Sequence, residues 1–235
     1  MQASQLPPGA GPASPDAAGA AVLIWNDVQA PGRDLFYQWH DKEHMPERLG
    51  LPGFVRGRRY AAAGASPEWF TIYETASLDT LVSPAYLERL NSPTPATTQT
   101  LKFFENTARS VCDLRYGIGQ STGGFVVAVR FDAVQGGNDS AMTAIAARVL
   151  PALLAQPGVL ACKLYGADGG ASRIDTAESK TREFDIPSWV VMVETSHQAA
   201  AERAIEFVKA VDWEAAGARA RSDFRAYALE ICLSQ

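Results

Sequence analysis

Two histidines placed four residues apart are the side chains of this sequence best suited to chemistry. They are His40 and His44, within the segment Trp39 to Leu49. On a helix this spacing puts both imidazole rings on one face, and Glu47 and Arg48 follow on the same side one turn later. Because a neutral imidazole can accept or release a proton near pH 7, the pair indicates general acid/base chemistry.

Pro46 should disturb the helix next to His44. Proline has no N–H group, so the carbonyl of Lys42 loses its usual helical partner and the helix opens locally. We therefore take His44 as the candidate general acid/base and His40 as its helper. The structural alternative is that His44 only binds a backbone carbonyl or Glu74.

Arginine and aromatic side chains nearby could bind a substrate. Guanidinium groups bind carboxylates and enolates through paired hydrogen bonds, so we predict Arg58 as the partner of a developing oxyanion. Arg48 and Arg59 are predicted to bind substrate, with surface ion pairing as the alternative. Four aromatic residues are predicted to line either the pocket or the core. They are Trp25, Tyr60, Trp69 and Tyr73.

A zinc site is the sharper alternative for the histidine pair. Histidines at positions i and i+4 can hold zinc, with Glu43, Glu47 or Glu74 as a third ligand. However, Asp41 rather than a glutamate follows His40, and the third ligand has no fixed place. We therefore predict neither a metal site nor a cofactor. The three scattered cysteines, Cys112, Cys162 and Cys232, are predicted to be buried and inert, and His197 to be a loop residue.

Composition excludes several classes of protein. The net charge of −5 and the pI near 5.3 argue against nucleic acid as a partner and give no support for an anionic membrane surface. No apolar run is long enough to span a bilayer. The first 19 residues lack the pattern of a signal peptide and indicate a flexible tail. A cytoplasmic protein with a substantial core is the expectation.

The pattern of apolar residues predicts alternating strands and helices. Strands are predicted over residues 21–28, 54–62, 68–75, 106–114, 125–131, 159–165, 189–194 and 224–233. Helices are predicted over 34–49, 77–90, 97–104, 140–154 and 199–210. The break at residues 91–94 either ends a helix or covers the pocket.

This order of elements occurs twice, which indicates an internal repeat. Residues 45–53 align with 150–158 at an offset of 105, and 67–75 align with 187–195 at an offset of 120. The difference places an insertion of 15 residues in the second copy, between about residues 167 and 185. Each copy follows the β-α-β-β-α-β order of a ferredoxin-like unit, whose bare sheet face must be covered.

The predicted organisation follows from the repeat. It comprises a tail over residues 1–19, a first repeat over 20–116, a linker over 117–124 and a second repeat over 125–235. The fold class is α+β, with two tandem ferredoxin-like repeats forming an intramolecular α+β barrel. His40 and His44 align with Ile145 and Val149, so we expect the site in the first repeat alone.

The first repeat resembles the dimeric α+β barrel superfamily, in a tandem form. Trp39, His44-Met45-Pro46, Leu51-Pro52-Gly53-Phe54 and Arg58-Arg59-Tyr60 resemble the EthD-type pattern. The resemblance covers about residues 22–114 well and the second repeat by fold pattern only. It implies a ligand pocket between the sheet and the helices of one unit. Relatives of this kind include cofactor-free monooxygenases, isomerases, cyclases, haem enzymes and members without known activity, so fold does not choose the function.

Together these features predict a small enzyme without an organic cofactor. Its substrate would be a small hydrophobic or aromatic carbonyl, quinol or lactone, and its reaction an isomerisation, a cyclisation or an O₂-dependent oxidation that begins with proton abstraction. The alternatives are a binding protein without turnover and a metal- or haem-dependent member of the same superfamily. Unpaired outer strand edges would also allow two copies of the chain to form a homodimer.

Overall fold

The computed structural model describes residues 18–133, 138–181, 185–221 and 223–235. Its contacts divide the chain into two compact units. The histidine unit consists of Ala18–Leu114, Gly166–Pro187 and Tyr227–Gln235, and the companion unit consists of Arg115–Tyr165 and Ser188–Ala226. The histidine unit therefore combines most of the first repeat with two segments of the second. The predicted tail lies outside the described residues except for residues 18 and 19.

The strands and helices follow the order predicted from the sequence. The strands are β1 Ala20–Val28, β2 Phe54–Ala61, β3 Trp69–Thr75, β4 Phe104–Gly119, β5 Phe125–Ala133, β6 Val159–Ala167, β7 Trp189–Thr195, β8 Ala218–Ala220 and β9 Ala226–Ser234. The α-helices are α1 Arg33–Trp39, α2 Met45–Leu49, α3 Pro84–Asn91, α4 Pro95–Thr100, α5 Asn138–Ala144, α6 Leu150–Leu154, α7 Gly169–Ser172 and α8 Gln198–Ala210. Single turns of 3₁₀ helix include Leu78–Val82 and Ser179–Thr181.

The sheet of the histidine unit has the strand order β4-β1-β3-β2-β9. The neighbouring strands β4, β1, β3, β2 and β9 pair in antiparallel register, with Gly57 opposite Tyr73 and Tyr73 opposite Val22. Because side chains alternate along a strand, Tyr73 and Arg59 point toward the helices while Arg58 points away from them. Gly57 matters here, because a Cβ at this position would lie 2.8 Å from Leu49 Cδ2. Its missing side chain lets α2 approach the sheet closely.

A π-helical segment joins α1 to α2 and carries both candidate histidines. It spans His40–His44, and the N–H of Met45 donates to the carbonyl of His40, five residues back. The second repeat has the same feature at Ile145–Val149, between α5 and α6. Pro46 and Pro151 occupy equivalent positions after these segments, and neither can complete the α-helical ladder. The local opening predicted at Pro46 is therefore present and belongs to the fold of both repeats.

The companion unit packs its helices on a strongly apolar sheet face. β5 pairs with β7 and β8, both in antiparallel register. Val127 and Val129 of β5 and Val191 and Val193 of β7 share a core cluster with Ile145 of the π-helical segment. All of these side chains are buried. Burial of this continuous apolar face is the main stabilising contribution in this unit.

The predicted fold class is confirmed: the chain has an α+β fold of two tandem ferredoxin-like repeats, of the intramolecular α+β barrel type. Several boundaries differ from the prediction. β4 extends to Gly119, so the first residues of the predicted linker are strand, and β8 lies in a stretch where neither a helix nor a strand was predicted. The predicted helix over 77–90 begins as a 3₁₀ turn, because Ser83 caps a new helix with Pro84 at its first position.

The three cysteines differ in exposure. Cys112 and Cys162 are buried as predicted, but the prediction for Cys232 was wrong because this thiol is exposed. Cys232 lies in the second half of β9, where half-buried and exposed positions alternate along the strand. Burial raises the pKa of the Cys162 thiol to about 12, so it remains a thiol at neutral pH.

Among the described residues, none of the helices has the length and hydropathy required to cross a bilayer.

Candidate functional site

A small, partly open cavity lies between the sheet and the helices of the histidine unit. Its volume is about 50 Å³, enough for one or a few water molecules. Four predicted site residues line it: His40, His44, Arg48 and Tyr73. Sequence reasoning missed several other lining residues, among them Asn26, Arg109 and Glu178. The cavity occupies the place that the family resemblance implies for a ligand pocket.

His40 is held at both ring nitrogens. Arg59 Nη1 lies 3.0 Å from His40 Nδ1, and Tyr73 Oη lies 3.1 Å from His40 Nε2. A guanidinium group has donors only, so His40 Nδ1 must accept the hydrogen bond from Arg59. The proton of the neutral ring is therefore on Nε2, which donates to Tyr73 Oη. These two contacts select one tautomer of His40.

His40 is also kept uncharged. Burial lowers its pKa well below the usual 6.5, and the positive charges of Arg59 and Arg48 lower it further. Only 4% of the residue is exposed. A buried imidazolium beside two guanidinium groups would be costly, so the ring is neutral at pH 7. Its remaining lone pair already binds Arg59, which makes His40 a positioning group and a poor base.

Arg59 is itself firmly anchored. Asp41 Oδ1 lies 2.5 Å from Arg59 Nη1, and Glu230 Oε2 lies 2.8 Å from Arg59 Nε. The guanidinium carbon is 5.2 Å from the ring centroid of Phe36 and 4.8 Å from that of Tyr37. Charge pairing and ring stacking together fix the direction of the hydrogen bond to His40.

Tyr73 lines the same cavity and can act as a hydrogen-bond donor. Its oxygen accepts the Nε2 proton of His40, so its own O–H can donate to a ligand. Burial raises the pKa of Tyr73 far above the usual 10.0, although nearby Arg48 and Arg59 act in the opposite direction. The phenol therefore stays protonated at neutral pH and suits an oxygen that gains negative charge.

His44 lines the same cavity beside these groups. Its ring centroid is 5.8 Å from that of His40 and 6.3 Å from that of Tyr73. It also packs on the indole of Trp39, with 4.2 Å between the centroids. Trp39 is held in turn, because its Nε1 donates to Thr97 Oγ1 over 2.9 Å. Packing on this anchored indole fixes the position of the His44 ring.

Residues near the predicted cover, 91–94, tie α4 to the histidine segment. The hydroxyl of Thr94 donates to Glu43 Oε1 and caps α4 by accepting from the N–H of Thr97. Thr97 in turn accepts from Trp39, which lines the cavity. The prediction that residues 91–94 cover the pocket is not tested by this geometry.

Arg48 forms a charged part of the cavity wall. Its Nη2 lies 2.5 Å from Glu178 Oε1, and its Nη1 lies 3.1 Å from Glu47 Oε2. Only 3% of Arg48 is exposed, and its guanidinium carbon is 5.9 Å from the ring centroid of Tyr86. Glu178 comes from the insertion of the second repeat, which the change of offset locates without showing that it packs on the first. Sequence alone therefore gave no signal for this residue.

Three predicted residues lie on the opposite face of the sheet from the cavity. Trp25 stacks on Phe70 with 4.8 Å between the ring centroids, and Phe70 packs in turn on Tyr60. Arg58 donates to the hydroxyl of Tyr60 and pairs with Glu74 over 3.1 Å. Antiparallel register decides this placement, because Arg58 pairs with Ile72 and Arg59 with Thr71. Trp69 is on the helix side, where it contacts Phe36 and Arg33 away from the cavity lining.

The internal repeat distinguishes the polar residues on the two faces of the sheet. Arg58, Tyr60 and Glu74 have the counterparts Lys163, Tyr165 and Glu194, so a basic residue, a tyrosine and a glutamate occur at these positions in both repeats. In contrast, the cavity residues His40, His44 and Tyr73 have the counterparts Ile145, Val149 and Val193. A feature required by the fold should be kept in both copies. The first set therefore fits a structural role and the second a specialised one.

The proposed third zinc ligands all have other partners. Glu43 binds Thr94, Glu47 pairs with Arg48 and Arg89, and Glu74 lies across the sheet with Arg56 and Arg58. Within the part of the chain that is described, no group of three or more histidine, cysteine or acidic residues is arranged to hold a metal ion. His40 Nδ1 is also occupied by a cationic donor, which is an unsuitable setting for a metal ligand.

The setting of His40 does not suit an axial ligand of haem. His40 presents a protonated Nε2 that is bonded to Tyr73, and its Nδ1 accepts from Arg59, so neither of its ring nitrogens is available for an axial position.

No protein-family model matches the chain, and no curated protein matches it in sequence. Solved structures do match its fold. A provisionally named monooxygenase from Fusobacterium nucleatum has a TM-score of 0.56 at 10% identity, with 93% of this chain and 95% of that chain covered. An anthrone oxidase-like protein also has a TM-score of 0.56 at 10% identity, with 92% and 93% covered. A chlorite dismutase from Candidatus Nitrospira defluvii has a TM-score of 0.54 at 9% identity, with 91% and 92% covered.

The chain has the dimeric α+β barrel fold. At these identities the similarity shows the fold alone, and it does not select the EthD type among the members of the superfamily.

Proposed function

We propose that this protein is an enzyme that moves a proton at a carbon next to a carbonyl or phenol oxygen. The observation that carries the proposal is that His44, Tyr73 and the neutral His40 line one small cavity, with 6.3 Å between the ring centroids of His44 and Tyr73. One group can take the proton, and the other can stabilise the oxygen that becomes negative. Three superfamily members with enzyme names support this class of protein but no single reaction.

The reaction would begin with transfer of a substrate proton to the imidazole of His44. This step leaves an imidazolium and an enolate or phenolate, whose oxygen accepts a hydrogen bond from Tyr73. Return of the proton to a different carbon completes an isomerisation. With O₂ as the oxidant, the same carbanion would form a C–O bond, and the imidazolium proton would complete a hydroperoxide. Neither route needs an organic cofactor.

Tyr73 takes the role that the sequence prediction gave to Arg58. Arg58 lies on the opposite face of the sheet and pairs with Glu74 there. Arg59 and His40 serve to orient Tyr73, and Arg48 contributes a positive charge at the other end of the cavity. The proposed substrate is a small aromatic or hydrophobic molecule, consistent with walls formed by Trp39, Phe104 and other apolar groups.

The test is a substrate screen with wild type and a His44→Gln variant. The panel would contain anthrones, quinols, β-keto esters and unsaturated lactones, with product formation followed by mass spectrometry in the presence and absence of O₂. A base contributes about 10²–10⁴-fold to such reactions, so His44→Gln should lose turnover by that factor. The matched control is His197→Gln, which changes an exposed histidine that hydrogen-bonds to Ser196.

Either of two outcomes would overturn the proposal. A folded His44→Gln protein with full turnover would remove His44 from the mechanism. Tight binding across the panel with no product would instead indicate the alternative, a ligand-binding protein that uses the same cavity without catalysis.

The EthD type, the cellular location and the kind of partner are also part of this proposal. The segment from His44 through Pro52-Gly53 to Arg58-Arg59-Tyr60 supports an EthD-type protein. Free cysteines and the acidic charge balance support a cytoplasmic protein whose partner is a small molecule, with neither nucleic acid nor membrane.

A further inference from the structure

The cavity beside His44 has a smaller neighbour, and the two share part of their walls. The second cavity has a volume of about 30 Å³ and belongs to the same unit. Leu90, Arg109 and Glu178 line both cavities. Glu178 thus stands at the boundary between them. Rotation of its side chain away from this position would join the two spaces.

Glu178 occupies the position of an anion on Arg48. Its Oε1 lies 2.5 Å from Arg48 Nη2, which is a short charge-assisted hydrogen bond. Arg48 is almost fully buried, so its charge requires a partner on this side when Glu178 is displaced. The replacement must be anionic and must fit a planar guanidinium group. A carboxylate meets both requirements.

The backbone around Glu178 can stay in place while its side chain moves. The N–H of Glu178 donates to the carbonyl of Leu90 over 3.1 Å, and the N–H of Ala177 donates to Asn91 Oδ1 over 3.1 Å. The side chain itself is 13% exposed and so already reaches solvent. Displacement from Arg48 would therefore cost the ion pair but neither backbone hydrogen bond.

We propose that the two cavities form one ligand site for a small aromatic carboxylic acid, whose carboxylate replaces Glu178 on Arg48. Arg109 lines both cavities and adds a second positive charge. The aromatic ring would lie toward Trp39, which places the opposite end of the ligand near His44 and Tyr73. This inference rests on the proposed function for the reaction, but it predicts binding that is measurable without turnover.

The test compares benzoate with the neutral benzamide as probes. Both would be titrated into wild type and a Glu178→Gln variant, with dissociation constants taken from ¹H–¹⁵N NMR shifts. Gln keeps the shape of the side chain but removes its charge, so Glu178→Gln should bind benzoate about tenfold more tightly than wild type. Benzamide affinity should stay unchanged. The matched control is Glu47→Gln, because Glu47 contacts the same guanidinium but lines neither cavity.

A second substitution tests the carboxylate partner. Arg48→Gln, added to Glu178→Gln, should abolish the gain in benzoate affinity. If the double variant does not fold, Arg109→Gln in the Glu178→Gln background replaces it and should lower benzoate affinity at least threefold through loss of one charge.

Three results would contradict the inference: an equal gain in Glu47→Gln, a gain for benzamide, or shifts that avoid the cavity residues. Its failure is distinguishable from that of the proposed function. Benzoate binding with no turnover in the substrate screen would support the carboxylate site and contradict the enzyme. Turnover of a neutral carbonyl with no benzoate binding in Glu178→Gln would do the reverse.

Discussion

Arg59 Nη1 donates to His40 Nδ1 over 3.0 Å, and this contact determines which nitrogen of His40 carries the proton. The histidine then donates from Nε2 to Tyr73, so a cation on β2 controls a hydroxyl on β3 through a ring on the helix. Sequence reasoning identified all three residues and predicted His40 as the helper of the general acid/base His44. The geometry supports a positioning role for His40.

The tautomer of His40 is directly measurable. We expect ¹⁵N NMR of the imidazole nitrogens to show a neutral ring with the proton on Nε2, and to show no protonation of this ring at pH 6. The physical reason is that burial and two guanidinium charges oppose the imidazolium form. In an Arg59→Met variant, the Nδ1–H form should appear and the pKa of His40 should rise.

Arg58→Met is the control for that measurement. Arg58 is the sequence neighbour of Arg59 but lies on the other face of the sheet. Its removal should leave the His40 signals in place. A His40 ring that is cationic at pH 6 in wild type would contradict the assigned tautomer.

Stability should depend on pH through His40. The folded-state pKa lies well below 6.5, so below about pH 6.5 the unfolded chain binds a proton that the folded chain does not. The contribution of His40 to the free energy of unfolding should therefore be constant above that pH. It should fall by up to about 1.4 kcal/mol per pH unit on acidification. Urea unfolding between pH 5 and 8 measures this slope. His40→Gln should show a smaller slope from about pH 6.5 to 5, and equal slopes in the two proteins would refute the prediction.

Arg58 should matter for stability and not for ligand binding. It is fully buried and pairs with Glu74 on the face away from the cavity. Removal of one partner from a buried pair costs about 3–5 kcal/mol, so Arg58→Met should lower the free energy of unfolding by that amount. Chemical denaturation measures the loss. A folded Arg58→Met protein that lost benzoate binding or turnover would restore the catalytic role predicted from the sequence.

Periodicity and repetition made the fold predictable. The alignment of Pro46 with Pro151 predicted two matching helices, and both contain the same π-helical segment. The aligned pairs His40/Ile145 and His44/Val149 also pointed to a site in the first copy. The prediction of the matching helices succeeded because spacing along one chain is enough to place residues on one face of a helix, whereas the site in the first copy stays a prediction.

The face of a strand was harder to predict for neighbouring arginines. Arg58 and Arg59 are adjacent, so one must point to each side of the sheet, and the sequence does not say which side faces the helices. The structure decides this, because Gly57 pairs with Tyr73, which faces the cavity, and Arg59 lies two residues after Gly57 on the same face. Glu178 was missed for a different reason, since it lies 130 residues from Arg48 and only the three-dimensional structure brings the two together.

Tyr73 and Tyr60 provide the sharpest comparison of the two faces. Each phenol oxygen is buried and bonded to a basic side chain, Tyr73 to His40 and Tyr60 to Arg58. Loss of either hydroxyl should cost stability of about 1–3 kcal/mol, because a buried donor loses its partner. Only Tyr73 faces the cavity. Tyr73→Phe should therefore lower kcat by about 10²–10³-fold through loss of an oxyanion donor, whereas Tyr60→Phe should keep full turnover. Steady-state kinetics on a substrate from the screen, with unfolding measured for both variants, gives the comparison. Equal losses of kcat would mean that both substitutions act through stability, and Tyr73 would then have no role in the reaction.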